Sequence, residues 1–191
     1  FSVFFSHTIL TEFITKKPAT MLSKKIETAL NKQVELEASS SQFYLAMASW
    51  AETQGLGGTA QFLYKHSDEE RIHMLKLVQY INERGGKAVI PALPQPDKDY
   101  KTLNNLFQNL LKHEIMVSDK INDLVETCLK EKDYTTQNFL QWYVAEQIEE
   151  EALARTIIDK LNMIGADKSG LYMFDRDIET ITVQSSVVAP K

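Results

Sequence analysis

Glutamates interrupt largely apolar helical faces at four places along this 191-residue chain. Between Leu103 and Cys128, steps of three and four residues meet apolar side chains or a thiol everywhere except at Glu114. The same steps meet Glu37, Glu70 and Glu150 in three other segments. An uncompensated carboxylate in an apolar core costs on the order of several kcal/mol, and no Lys or Arg shares these faces to compensate it.

A pair of divalent cations would balance four buried carboxylates one for one. Hard oxygen ligands combined with one imidazole suit iron or manganese. Glu70-x-x-His73 places two such ligands one helical turn apart on the same face, which is the spacing that di-iron bundles use. The pattern therefore predicts a two-metal carboxylate site in the middle of a helical bundle.

Long helices must position these residues, because glycine and proline are confined to a few sites. We predict four helices over residues 24–54, 59–84, 102–131 and 133–164, and a short fifth over 169–180. The proline-containing segment 87–100 can span ~50 Å if extended, which exceeds the ~40 Å of a 27-residue helix. This predicts an all-α, ferritin-like four-helix bundle with one long crossover and a short fifth C-terminal helix.

The two helix hairpins differ in how well they bring the glutamates level. Around a turn at residue 132, Glu114 and Glu150 are each 18 residues away. Around a turn at residue 56, Glu37 is 19 residues away and Glu70 is 14. The first pair is therefore expected to meet directly, and the second needs a stagger in the glycine-containing turn.

Composition excludes several classes of protein. The net charge of −5 disfavours a nucleic-acid partner, and no apolar run reaches the ~20 residues of a membrane helix. One cysteine, Cys128, excludes an internal disulfide and favours a reducing, cytoplasmic location. Residues 1–20 differ in composition from the rest and are expected to be a leader remnant, which would allow an organelle, or artificially added sequence. The predicted domain spans 21–182, followed by a tail over 183–191.

Three segments make the chain resemble the ferritins, and among them the non-haem bacterial type. They are Glu35-Leu36-Glu37-Ala38-Ser39-Ser40, Asp68-Glu69-Glu70-Arg71-Ile72-His73-Met74, and Asn138-Phe139-Leu140-Gln141-Trp142-Tyr143-Val144-Ala145-Glu146-Gln147-Ile148-Glu149-Glu150-Glu151. The resemblance covers Met21 to about Thr182. One E-x-x-H motif is weak evidence, whereas four helices carrying these residues in order are specific.

The resemblance implies iron storage, with a ferroxidase centre that oxidises Fe(II) by O2 or H2O2. Glu37, Glu70 and His73 would bind the first iron, with Glu70 bridging, and Glu114 and Glu150 would bind the second. Gln147 would lie on the O2 side, and Tyr44 would be an electron donor, a radical trap or a packing residue. A third iron site would use Glu69, Glu146, Glu149 and Glu150.

The resemblance also implies a shell of twenty-four chains around a mineral core. Haem-binding relatives carry a haem-ligating methionine in the Glu70-Arg71-Ile72 stretch, and this chain has none there, so haem is not expected. Those relatives repeat E-x-x-H on their fourth helix, where this chain has Gln147-x-x-Glu150. We interpret that asymmetry as favouring transit of iron to storage over a fixed cofactor.

Other functions and other roles remain to be weighed. A rubrerythrin-like di-iron enzyme would need a cysteine-bound iron module, and a metal-free interaction bundle would leave four core carboxylates unexplained. Miniature DNA-protecting ferritins lack the short fifth helix and build their site between subunits. Of the remaining histidines, His66 is predicted to be a hydrogen-bonded structural residue, and His113 a surface residue.

Overall fold

The computed structural model describes residues 21–181, which form a helical bundle. Its elements are α1 (Lys24–Thr53), α2 (Gly57–Glu83), α3 (Leu103–Glu131), α4 (Tyr134–Ile164), α5 (Lys168–Asp177) and a 3₁₀ helix (Ile178–Thr180). The predicted fold class is confirmed, with small differences at the ends: α2 begins at Gly57, and the last predicted helix divides at Ile178 into α-helix and 3₁₀ helix. The predicted N-terminal extension and C-terminal tail lie outside the described residues, so those boundaries remain predictions.

Side-chain caps set where most of the helices begin. At each such start a hydroxyl or carboxylate oxygen accepts a hydrogen bond from a backbone N–H of the first turn. The capping residues are Ser23 for α1, Thr102 for α3, Asp133 for α4 and Asp167 for α5. The predicted cap at Ser23 is therefore present.

The segment between α2 and α3 runs along α1. Near its start, the amide of Asn31 donates to the Lys87 carbonyl at 3.1 Å and accepts from the Val89 N–H at 2.7 Å. Near its end, Tyr100 packs edge-on against Trp50 in the last turn of α1, with ring centroids 5.8 Å apart. The segment thus passes from the first third of α1 to its end, as the predicted crossover requires. The hairpins α1–α2 and α3–α4 then pack together through α1 and α3.

Two apolar clusters fill the bundle, one towards each end. One contains Tyr44 and the other Val34, and α1 passes from one to the other through Glu37. Glu114 lies at the corresponding point of α3, between residues of the two clusters. The buried carboxylates therefore occupy a polar layer between two dry cores.

Helix α5 is attached to the start of α2. The Asp175 carboxylate accepts hydrogen bonds from the N–H groups of Gly58 at 3.1 Å and Thr59 at 2.8 Å, and so caps α2, whose own N-cap residue Leu56 provides no side-chain bond. Gly58 makes this approach feasible, since a Cβ there would lie 1.8 Å from the Asp175 carbonyl oxygen. The contact holds α5 and the 3₁₀ helix against the bundle.

Candidate iron site

Glu37, Glu70 and His73 converge in the polar layer and are called the closed cluster below. One ligand atom from each lies within 4.8 Å of the others, and all three residues are buried. The distance between His73 Nδ1 and Glu70 Oε2 is 3.6 Å. Glu70 Oε2 is buried and has no hydrogen-bond partner among residues 21–181. An orphaned carboxylate oxygen beside a second carboxylate and an imidazole is suited to a cation.

The α1–α2 turn is centred differently from the prediction, and this explains why Glu37 and Glu70 meet. Ser41 Oγ donates to the Ser67 carbonyl and Ser67 Oγ donates to the Ser41 carbonyl, each at 2.8 Å. These reciprocal bonds put the centre at residue 54, midway between the two serines, and not at residue 56. From residue 54, Glu37 and Glu70 are 17 and 16 residues away. The expected mismatch in height is absent.

Neighbouring side chains orient the closed cluster. The buried Gln33 amide, one turn before Glu37, donates to Glu37 Oε1 at 2.8 Å. On α4, the Tyr143 hydroxyl donates to the His73 carbonyl at 2.8 Å, and Trp142 meets the His73 ring edge-on with centroids 5.0 Å apart. Supporting contacts of this kind fix ligand orientation before a metal arrives.

Glu114 lies next to the closed cluster and is held through both carboxylate oxygens. The Tyr44 hydroxyl donates to Oε1 at 2.8 Å, and the Gln147 amide donates to Oε2 at 3.1 Å. Gln147 also donates to the Glu114 backbone carbonyl at 3.2 Å. Gln147 and Tyr44 thus contact one carboxylate from two sides, and Tyr44 is more than a packing residue.

Burial makes this layer of carboxylates hold protons. It raises the pKa of Glu37 and Glu70 well above the usual 4.5, and the charges of Glu70 on Glu37 and of Glu114 on Glu70 raise these pKa values further. Burial likewise raises the pKa of Glu114 to about 7. It raises that of Glu150 to about 8, with the Glu114 charge as the next cause. A cation entering this layer would displace protons that burial keeps there.

A second group, the open cluster, consists of His66, Glu69 and Glu150. Their ligand atoms also lie within 4.8 Å of one another. His66 Nδ1 is 3.3 Å from Glu69 Oε2 and 3.7 Å from Glu150 Oε2, and the three side chains are 11%, 40% and 13% exposed. A cavity of about 380 Å³ opens beside them, with Glu146, Glu149 and Glu179 also in its wall. The four glutamates predicted for a third iron site therefore line one cavity.

The structure changes the interpretation of two histidines. His66 was expected to be structural, yet it joins two carboxylates, and the spacing of His66-x-x-Glu69 repeats that of Glu70-x-x-His73, a signal present in the sequence. The prediction of a surface position for His113 is wrong. This side chain is partly buried, stacks on Phe43 with centroids 4.4 Å apart, and shares a 2.8 Å hydrogen bond with Ser40 Oγ.

Among residues 21–181, no helix combines the length and apolar character that crossing a membrane would take.

Comparison with known proteins agrees with the fold. A family model described as a ferritin-like domain matches residues 27–164. A probable bacterial non-heme ferritin-like protein of Haemophilus influenzae is 46% identical over 86% of this chain and 100% of its own length. A bacterial non-heme ferritin of Campylobacter jejuni is 42% identical over 85% of this chain and 98% of its own length.

A solved structure gives the same result in three dimensions. An open-pore ferritin of the hyperthermophilic archaeon Archaeoglobus fulgidus superposes with a TM-score of 0.82 at 38% identity, covering 84% of this chain and 99% of that one. The family match spans most of the sequence, and the relatives are matched over nearly their full length. This chain belongs to the ferritin family, the proteins of iron storage.

Proposed function

We propose that this chain takes up Fe(II), oxidises it in the polar layer of the bundle and deposits Fe(III) inside a multi-subunit shell. The observation that carries the proposal is the closed cluster, in which a buried carboxylate oxygen of Glu70 faces an imidazole without a hydrogen-bond partner among the described residues. Burying such a group is costly without a cation, and carboxylate with imidazole is a donor set that suits iron.

The proposed ligands divide over two iron positions. Glu37, Glu70 and His73 bind the first Fe(II), and Glu70 bridges to the second, which Glu114 and Glu150 bind. Support comes from the charges these groups place on one another: the Glu114 and Glu150 carboxylates both raise the pKa of Glu70. Gln147 and Tyr44 hold Glu114 in position through their hydrogen bonds.

Two Fe(II) ions side by side supply the two electrons that reduce O2 to H2O2, or H2O2 to water. Paired transfer avoids one-electron products of O2. The Fe(III) product hydrolyses and releases protons, and the glutamates of the cavity wall, Glu69, Glu146, Glu149 and Glu150, hold iron as it leaves the centre. Carboxylates suit this role because they bind Fe(III) firmly and can shift between terminal and bridging positions.

We further propose that the shell contains twenty-four copies of this chain and stands in the cytoplasm. Support comes from the likeness to a solved ferritin and from large apolar side chains that are exposed in the single chain and that contacts between subunits would cover. They include Leu45, Val89, Ile90, Ile115, Tyr134 and Tyr172.

Aerobic loading with Fe(II), followed by size-exclusion chromatography with iron and protein measured in each fraction, tests the function. Iron far in excess of the ligand count, travelling with a very large particle, is the expected result. A few ions per chain on a small oligomer would instead indicate a di-iron enzyme acting on another substrate. The absence of retained iron would contradict both.

Two variants test the site within the same experiment. His73→Ala and Glu114→Ala should abolish fast oxidation and leave the particle size unchanged. The matched control is Glu126→Ala, which removes an exposed glutamate from the same helix as Glu114, where it pairs with Lys130 at 2.7 Å. An unchanged initial oxidation rate in either site variant would overturn the ligand assignment.

A further inference from the structure

We propose that His66 supplies a nitrogen ligand to the third iron position, where it binds together with Glu69 and Glu150. The inference rests on the proposed function and deepens it, because a set of glutamates alone was expected at this position. The resulting site has one nitrogen and two oxygen ligands, and it shares Glu150 with the proposed second iron.

The distances in the open cluster are those of ligands around one ion. Two ligands with bonds of about 2.1 Å to a tetrahedral metal lie about 3.4 Å apart. His66 Nδ1 is 3.3 Å from one carboxylate oxygen and 3.7 Å from the other. The second distance is too long for a hydrogen bond, so simple pairing with Glu150 does not account for the arrangement. The spacing also matches the 3.6 Å between His73 and Glu70 in the closed cluster.

The His66 ring is fixed in a direction that suits a ligand. It stacks on Tyr44 with centroids 5.5 Å apart and contacts Phe62 at 4.3 Å. The residue is only 8% exposed, and its Nδ1 lies within 3.7 Å of an oxygen of each carboxylate. A side chain held in place by its neighbours needs little rearrangement when a metal binds.

The position of the open cluster gives the site its role. Glu150 is nearly buried, whereas Glu69 is 40% exposed to the cavity. A metal bound here would lie between the closed cluster and the cavity. The imidazole would therefore bind iron on its way out of the polar layer. An imidazole also raises the affinity for Fe(II) and Zn(II) relative to magnesium or calcium, which prefer oxygen.

Zn(II) is the probe for the test, because it binds without being oxidised. Equilibrium dialysis of the assembled protein should show three Zn(II) per chain. In His66→Phe the affinity for the third ion should fall by roughly tenfold or more, with the first two retained. Leu153→Met, which alters the same cavity wall without changing a charge or removing a proposed ligand, is the matched control.

Anomalous diffraction from Zn(II)-soaked crystals of the unaltered protein decides the matter even if His66→Phe fails to fold. A peak within bonding distance of His66 Nδ1 is expected. A third peak bound by glutamates alone, with His66 apart from it, would overturn this inference and leave the proposed function standing. The absence of ions at the closed cluster as well would overturn the proposed function itself.

Discussion

The closed and open clusters use the same chemical groups in opposite surroundings. Each places an imidazole and a carboxylate three residues apart on α2 and adds a carboxylate from another helix. Glu70, however, is buried between two apolar cores, whereas Glu69 borders a cavity. In the closed cluster, burial makes charge costly, so the carboxylates hold protons until a cation replaces them. In the open cluster, water can solvate the ligands and the ion can leave. The contrast suggests oxidation at one position and release at the other.

Glu70 and Glu69 are adjacent in sequence and belong to different clusters. Substituting each in turn therefore tests most directly whether the two clusters have different roles. Glu70→Gln should reduce the initial rate of Fe(II) oxidation by about 100-fold, because it removes the charge of a bridging ligand. Glu69→Gln should leave the first rapid phase intact and slow the recovery of activity between successive Fe(II) additions. Stopped-flow absorbance over repeated additions measures both. Equal effects of the two variants on the first phase would show that oxidation and release of iron are not separated between the two clusters.

Without a metal, the protonated carboxylates of the polar layer should make the stability of the protein depend on pH. The pKa values of Glu114 and Glu150 are about 7 and 8 in the folded protein against about 4.5 when unfolded, so the folded state binds more protons between these values. Stability of the metal-free protein therefore falls as pH rises from about 5 to 8. Thermal melts at pH 6 and pH 8 should differ by at least about 3 °C.

Glu114→Gln should flatten that pH dependence, because the amide carries no proton to lose. Glu126→Gln, at an exposed position on the same helix, should leave it unchanged. A melting temperature that rises with pH in the unaltered metal-free protein would contradict the conclusion that the buried glutamates of the polar layer hold protons.

Tyr44 links the proposed second iron position to the open cluster, since it donates to Glu114 and stacks on His66. Tyr44→Phe keeps the ring and removes one buried hydrogen bond, worth about 1 kcal/mol. The fast oxidation phase should therefore slow by about fivefold, with Zn(II) still bound at the third position. Tyr64→Phe is the control, because its hydroxyl bonds Glu52 at the surface. A loss as large as that of Glu70→Gln would instead make Tyr44 part of the electron transfer itself.

Most of the glutamates in the polar layer could be predicted from the sequence, because helical periodicity is a local property. A lone glutamate such as Glu114 stands out in an apolar stripe, and its helix lies where periodicity placed it. The turn between α1 and α2 was misplaced by two residues, since the stagger of two helices depends on contacts such as Ser41 with Ser67 that link distant parts of the chain.

The open cluster was harder to predict for a related reason. His66 falls on the same stripe as Glu70, and a histidine on a buried face is more often a packing residue than a ligand. Its role depends on which carboxylates reach it from α4, and the distance to Glu150 is set by tertiary packing. The contact of α5 with α2 was equally hard to predict, because no local sequence feature indicates that Asp175 caps α2, which begins more than a hundred residues earlier.

Gly58→Ala should have the smallest effect on oxidation among these variants, and it should affect the open cluster more than the closed cluster. A Cβ at this position would overlap the Asp175 carbonyl, so α5 must shift, at a cost on the order of 1–3 kcal/mol. The 3₁₀ helix that follows α5 contributes Glu179 to the cavity wall, whereas the closed cluster takes no residue from this region. The rate of the first oxidation phase should therefore stay within about twofold of normal, and the third Zn(II) should bind more weakly.

Gly57→Ala is the control, because a Cβ there meets nothing within 4 Å, and it should change neither the oxidation rate nor Zn(II) binding. If Gly58→Ala slowed the first phase as strongly as it weakened the third ion, the two clusters would be mechanically coupled through α2, and their separation into an oxidising and a releasing position would have to be abandoned.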